Sequence, residues 1–191
     1  TRTTEAAVKA SELKISGFGG QGVILMGIII GKAATIHDDG HATLTQSFGP
    51  EARGSACSAQ LVLDRKPILY PSVGAPDVLL CMSQEAFTKF SPELKSGGIL
   101  IVEEELVKAE PAPAGVGVFG VPSTRMAEEL GRKLIQNIVM VGFFTAVTGI
   151  VDAEAARRAV RESVPPGTED LNLKAFDAGL AHGKAMGVPV T

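Results

Sequence analysis

The sequence predicts an α/β fold of three layers, a mostly parallel sheet flanked by helices. Three observations predict it. Short, wholly apolar runs, Val78-Leu79-Leu80-Cys81-Met82 and Ile99-Leu100-Ile101-Val102, fit strands covered on both faces. Segments with helix-capping residues alternate with these runs, the pattern of parallel strands joined by crossover helices. A glycine-rich turn, Gly17-Phe18-Gly19-Gly20-Gln21-Gly22, joins an apolar run directly to a helical one. A chain of 191 residues suits one domain with a sizeable core, residues 1–11 forming a flexible N-terminal segment.

Each element follows in order. Leu13 to Ser16 reads as the first strand, and Val23 to about Ile36 as a buried helix. Asp38-Asp39-Gly40 is a turn, and His41 to Phe48 the second strand. After a loop, Ser55 to Leu63 runs apolar until Asp64-Arg65-Lys66-Pro67 ends it. Tyr70 to Pro76 is too rich in Pro and Gly for a regular element. Ser83 is positioned to cap a helix from Gln84 to Phe90. Gly97-Gly98 precedes the strand Ile99 to Val102, and a proline-bearing connector leads to the strand Val116 to Val121. Pro122-Ser123-Thr124 opens a helix. Asn137 to Ile150 is a long helix with small residues at intervals, suited to close packing. Asp152 caps a charged outer helix, Ala153 to Ser163, and a last helix runs from Glu169 to Met186.

The glycine turn is the most informative stretch. A strand that turns tightly into a helix aims backbone N–H groups and the positive helix end at one spot, where an anion is the usual guest. Gly17, Gly19 and Gly22 satisfy the G-x-G-x-x-G spacing of Rossmann-type dinucleotide turns. A tight turn with no ligand accounts for the same glycines equally well. A nicotinamide cofactor needs more: an acid about 20 residues on, at the end of the second strand. Here that strand ends in Gln46-Ser47-Phe48, with no carboxylate.

Composition narrows the classes. Hydrophobic residues make up 45% of the chain and charged ones 20%, as in globular proteins. The net charge of -3 and the 5% aromatic content disfavour nucleic acid. Cys57 and Cys81 stand alone, whereas an iron–sulfur cluster or structural zinc needs about four ligands, so both read as small buried hydrophobes. His37, His41 and His182 are too scattered for a metal site. No stretch reaches the ~20 apolar residues of a membrane span, and the first ten residues carry no secretory signal. A cytoplasmic location is the expectation.

A second motif is Thr45-Gln46-Ser47-Phe48-Gly49-Pro50-Glu51-Ala52-Arg53-Gly54, just past a strand end, where open α/β sheets bind ligands. Arg53 could grip a phosphate or carboxylate with its planar fork. A solvated turn carrying an ion pair of Glu51 and Arg53 is the plainer reading. Together with the glycine turn, this motif resembles the gamma subunit of 2-oxoacid:ferredoxin oxidoreductases, the 2-oxoglutarate (KorC-type) branch most of all. The likeness continues through Ala75 to Leu79, Ser83 to Ala86, Gly97 to Ile101, Asn137 to Gly142 and Asn172 to Gly179. Ser55 stands where the family has a second glycine.

The resemblance implies part of an enzyme. The whole complex would oxidatively decarboxylate a 2-oxoacid, join the acyl group to coenzyme A and pass two electrons to ferredoxin or another acceptor. Thiamine diphosphate, magnesium and iron–sulfur clusters would sit on partner alpha, beta and delta-type (ferredoxin-like) subunits, and this chain alone would be inactive. Its own role would be coenzyme A binding and active-site closure through Gly17, Gly19, Gly20, Gln21, Gly22, Ser47, Gly49, Glu51, Arg53 and Gly54. No catalytic residue and no metal ligand is expected on it. The competing readings are a stand-alone nicotinamide dehydrogenase and a free coenzyme A or nucleotide-binding module. Within the family, pyruvate, branched-chain oxoacids, indolepyruvate and phenylglyoxylate are the alternative substrates.

Overall fold

A computed structural model describes residues 11–48 and 56–187. Of the N-terminal segment expected to be flexible, residues 1–10 lie outside the described residues, and Ser11 already belongs to the first strand. The strands are β1 (Ser11–Phe18), β2 (His41–Ser47), β3 (Ala56–Asp64), β4 (Val78–Cys81), β5 (Ile99–Glu103) and β6 (Gly117–Val121). They form one sheet in the order β2-β3-β1-β4-β5-β6. Pairings β1–β4, β4–β5 and β5–β6 are parallel, and β3 is antiparallel to both of its neighbours, so it alone of the described strands runs against the rest. The elements expected from the sequence are present. Phe48, expected in β2, lies beyond its end and is 68% exposed.

The helices are α1 (Val23–Ile36), α2 (Gln84–Phe90), α3 (Ser123–Glu129), α4 (Gln136–Thr148), α5 (Ala153–Ser163) and α6 (Glu169–Ala185). Ser83 accepts the Ala86 N–H at 3.2 Å, and Asp152 the Ala155 N–H at 2.9 Å, so both sequence-read caps close open helix donors. α1, α4, α5 and α6 cover one face of the sheet around the main core, which includes Ile15, Leu61, Leu80, Phe143 and Phe176. The other face holds a smaller core of Leu79, Cys81, Leu100 and Val102 against Phe87 and Phe90 of α2.

Two close approaches set the helix layer. α1 lies directly on β2 and β3 because Gly27 has no side chain: a Cβ there would come within 3.0 Å of Leu44 and Ala59. α4 and α6 meet backbone to backbone. A Cβ at Gly142 would fall 2.0 Å from the Phe176 carbonyl oxygen, and one at Gly179 1.9 Å from that of Val139. α1 is apolar nearly all round, which normally marks a helix buried on every side. It is nonetheless partly open, with Ile28 37% and Ile36 62% exposed.

Cys57 and Cys81 are both buried. They flank β1 but belong to opposite faces of the sheet: Cys57 lies in the main core and Cys81 in the smaller one. Burial raises the pKa of Cys57, and it pushes the Cys81 thiol up to about 12.

Three outcomes follow. Gly179→Ala must part α4 from α6 and is expected to cost about 3 kcal/mol in urea unfolding. Gly31→Ala in α1, whose nearest neighbour would stand 3.6 Å away, is expected to be neutral or stabilising by about 0.5–1 kcal/mol. Equal effects at the two sites would refute the packing account. The raised pKa of Cys81 favours folding while the thiol is neutral. That contribution is complete below its ordinary value of 9.0 and is lost as pH climbs toward about 12. Unfolding free energy measured from pH 8 to 11 should therefore fall more steeply in the natural chain than in Cys81→Ala, and parallel curves would contradict this.

Candidate functional site

β1 delivers the chain to the carboxyl edge of the sheet, between β3 and β4. Gly17 must be small there, since a Cβ would meet Gln21 Oε1 at 2.5 Å and Met82 Cβ at 3.1 Å. Gly20 (φ 94°) and Gly22 (φ 74°) adopt the left-handed conformation that turns the strand into the helix. Gln21 braces the turn. Its Oε1 accepts the Phe18 N–H at 2.7 Å, its Nε2 donates to the Met82 carbonyl at 2.9 Å, and its own N–H donates to the Phe18 carbonyl at 3.1 Å. Of the residues the sequence proposed for cofactor binding, Gln21 thus engages both ends of its carboxamide within the protein.

The outer side of the turn is open. A Cβ at Gly19 or Gly20 would meet nothing within 4 Å. α1 begins at once behind it, with Gly22 as its N-cap, no side-chain cap and no acid in its first turn. The first N–H groups of a helix have no intrahelical partner, so this end presents donors and a partial positive charge.

The second motif leaves the same edge. Ser47 of β2 pairs with Ser58 of β3, which pairs with Ser16 of β1, one residue before the glycine turn. Two strand spacings, about 10 Å, therefore separate the end of β2 from the end of β1. Ser47 is exposed. Gly49, Glu51, Arg53 and Gly54 lie outside the described residues.

The missing ribose acid has a topological cause. In a dinucleotide fold the strand after the first helix lies parallel beside the first strand. Here β3 occupies that place and runs the opposite way, so β2 ends one strand too far from the turn.

Sequence reasoning did not single out three neighbours of the turn. Asn137, in the first turn of α4, is 3% exposed and packs on Gly22: a Cβ there would overlap its Nδ2 at 2.3 Å. Asn172 of α6 and Arg132 before α4 join it in lining a cleft of about 240 Å³ that opens beside Gly20 and Gly22. A carboxamide at the start of so apolar a helix as Gln136–Thr148 was the available signal. Glu103, fully buried at the end of β5, also escaped notice. It accepts from Ser123 Oγ, from Thr124 N and Oγ1 at 2.7 and 3.0 Å, and from Glu105 N at 3.0 Å, which fixes it as a cap for α3. Among the described residues no three His, Cys, Asp or Glu side chains gather as a metal site. No helix among them is long and apolar enough to cross a membrane.

Fold and turn define an α/β protein built around a dinucleotide-type glycine turn with an inverted neighbouring strand. The chain belongs to the pyruvate ferredoxin/flavodoxin oxidoreductase family, whose profile matches residues 12–182. It is 44% identical to the 2-oxoglutarate synthase subunit KorC of Methanocaldococcus jannaschii, over 92% of this chain and 95% of that one. Among solved structures it superposes on a keto/oxoacid ferredoxin oxidoreductase gamma subunit from Geobacter sulfurreducens, with TM-score 0.82 and 39% identity, covering 92% of this chain and 99% of the other. A 2-oxoglutarate:ferredoxin oxidoreductase from Magnetococcus marinus, solved with 2-oxoglutarate, coenzyme A and succinyl-CoA bound, shares the fold. There the TM-score is 0.83 at 20% identity, covering 95% of this chain and 32% of that longer one. The gamma-subunit resemblance read from the sequence thus holds.

If Gln21 braces the turn, Gln21→Glu keeps the contact to Phe18 N–H but sets a carboxylate against the Met82 carbonyl. The expected loss is about 1–3 kcal/mol at neutral pH. Thermal unfolding of the two forms checks it, and an unchanged midpoint would remove Gln21 from this role.

Proposed function

We propose that this chain is the gamma subunit of a thiamine-diphosphate-dependent 2-oxoglutarate:ferredoxin oxidoreductase complex, and that it holds the anionic part of coenzyme A at its glycine turn. The carrying observation is the open, uncapped N-terminus of α1 behind Gly19 and Gly20, at the edge from which the Gln46–Gly54 motif also departs. Such an end suits a diphosphate, since backbone donors and helix dipole act together. Coenzyme A supplies the thiol that takes the acyl group. The residues of this chain bind and orient it, and the Ser47–Gly54 segment, with Arg53 as its cation, closes over it and helps to exclude water. The Magnetococcus relative, with coenzyme A bound, and the KorC relative, a 2-oxoglutarate synthase subunit, both support the reading.

Thiamine diphosphate, magnesium and iron–sulfur clusters are assigned to alpha, beta and delta-type partner subunits, with ferredoxin as acceptor and a cytoplasmic setting. We read residues 1–191 as one working domain. Assembly with partners is supported by α1, whose apolar flank at Ile28 and Ile36 stays open in the single chain. The stand-alone dehydrogenase reading is disfavoured by β3, which occupies the place of the ribose-binding strand.

The test is the reconstituted complex, assayed for coenzyme A-dependent reduction of a viologen dye with 2-oxoglutarate, pyruvate and branched-chain oxoacids. The chain alone is expected to be inactive, and 2-oxoglutarate the preferred substrate. Gly19→Val, at a position with open space for the side chain, should raise the coenzyme A requirement about tenfold or more. Arg53→Ala should do the same, by loss of a charge-assisted bond worth about 1.5–3 kcal/mol. Natural coenzyme A dependence in both variants would end the proposal.

A further inference from the structure

A buried polar bridge joins the sheet to the start of α4. Glu103, the last residue of β5, is fully buried. Its Oε2 accepts from Ser123 Oγ and from Thr124 N and Oγ1, and its Oε1 from Glu105 N. All four donors are neutral. A carboxylate without a cation beside it costs free energy to bury, and a helix cap does not require such a site, since Ser83 and Asp152 cap their own helices locally. The network reaches further than the cap. Thr124 Oγ1 stands 3.0 Å from Glu103 Oε2 and 2.7 Å from the Gln136 carboxamide, so one hydroxyl links the end of β5 to the first residue of α4. Thr124 and Gln136 are themselves buried, and polar groups left unmet there are costly, so the bridge holds its geometry.

The start of α4 has little else of this kind to fix it. Its N-cap, Ile135, gives no side-chain cap. Within its first turn, the bond between Gln136 and Thr124 is the one side-chain hydrogen bond among the described residues. The next residue, Asn137, packs on Gly22 so closely that a Cβ there would meet its Nδ2 at 2.3 Å. Gly22 is the N-cap of α1 and the last glycine of the turn. A displacement at the start of α4 is therefore delivered to the turn. We propose that Glu103 and Thr124 are positioning residues. Anchored on the sheet, they set the first turn of α4 and, by way of Gln136 and Asn137, the alignment of the backbone donors at the glycine turn. Binding groups must be held closely in place to be effective, and small shifts from a distance weaken them. The inference rests on the coenzyme A reading above and adds to it the residues that keep the turn in register.

The test separates KM for coenzyme A from kcat in the reconstituted complex, assayed with 2-oxoglutarate and a viologen dye. Thr124→Val keeps the size of the side chain and leaves the Thr124 N–H on Glu103, so the cap of α3 survives while the bridge is lost. Gln136→Met removes the other end of the bridge. Thr124→Ser keeps the hydroxyl and serves as the rescue. Circular dichroism and gel filtration check the fold and assembly of each. Because the turn binds and does not react, KM should rise about fivefold or more in Thr124→Val and in Gln136→Met, with kcat within about twofold of the natural value. Thr124→Ser should keep KM within about twofold of the natural value, and the double variant should be no worse than either single, since both break one bridge. A merely structural role lowers the unfolding midpoint and leaves KM alone. Natural KM in either folded single variant, a fall in kcat without a rise in KM, or effects that multiply in the double variant would overturn the inference and leave the glycine-turn reading standing. If one variant fails to assemble, the other decides, and failure of both would make the bridge a folding determinant and overturn the inference as well. If the natural complex shows no saturation by coenzyme A, the coenzyme A reading fails, and this inference with it.

Discussion

Backbone approach without an intervening side chain is the constraint on which the carboxyl edge of this protein depends. Gly27 lets α1 rest on β2 and β3, and Gly142 and Gly179 let α4 touch α6. Gly22 lets Asn137 of α4 reach the start of α1. The three contacts form a chain of position: sheet to α1, α1 to α4, α4 to α6. The turn between β1 and α1 is held at one end of it. Its open donors are therefore presented by a rigid frame, which is what a preorganised anion site requires.

The inverted strand β3 explains how a dinucleotide-type turn came to stand without its usual companion acid. A parallel strand beside β1 would end near the turn and could offer a carboxylate there. β3 instead begins there, and β2 ends at the same edge, one strand farther out. One reversal of strand direction removes the strand end on which that carboxylate would stand.

Much of the fold was legible in the sequence because its signals are local. Ser83 and Asp152 announce their helices through hydrogen bonds three residues away. The apolar runs of β4 and β5 reflect burial on both faces. Gly20 and Gly22 have positive φ where the motif needs it. What stayed hidden is non-local. Nothing near residue 60 says that β3 inserts between β2 and β1, since that order is settled by pairing across the sheet. Asn137 is over 100 residues from Gly22, and only the packing of α4 brings its carboxamide to the turn. The hydrogen bonds of Gln21 to Phe18 and Met82, which brace the turn, are likewise set by the folded strand ends.

Strand β2 forms one border of the sheet, and its sequence, His41-Ala42-Thr43-Leu44-Thr45-Gln46-Ser47, contains no proline and no Lys, Arg, Asp or Glu. Natural sheets usually guard such a border with charge, proline or a bulge, because unpaired backbone groups there will zip onto any extended chain. On α1, the helix that packs on this strand through Gly27, Ile28 and Ile36 are exposed as well. Copies of this chain made in excess of whatever covers that border are therefore prone to self-association and precipitation. For a cell, the strand makes balanced synthesis a condition of solubility, and for the bench it makes co-expression the natural route to a well-behaved sample.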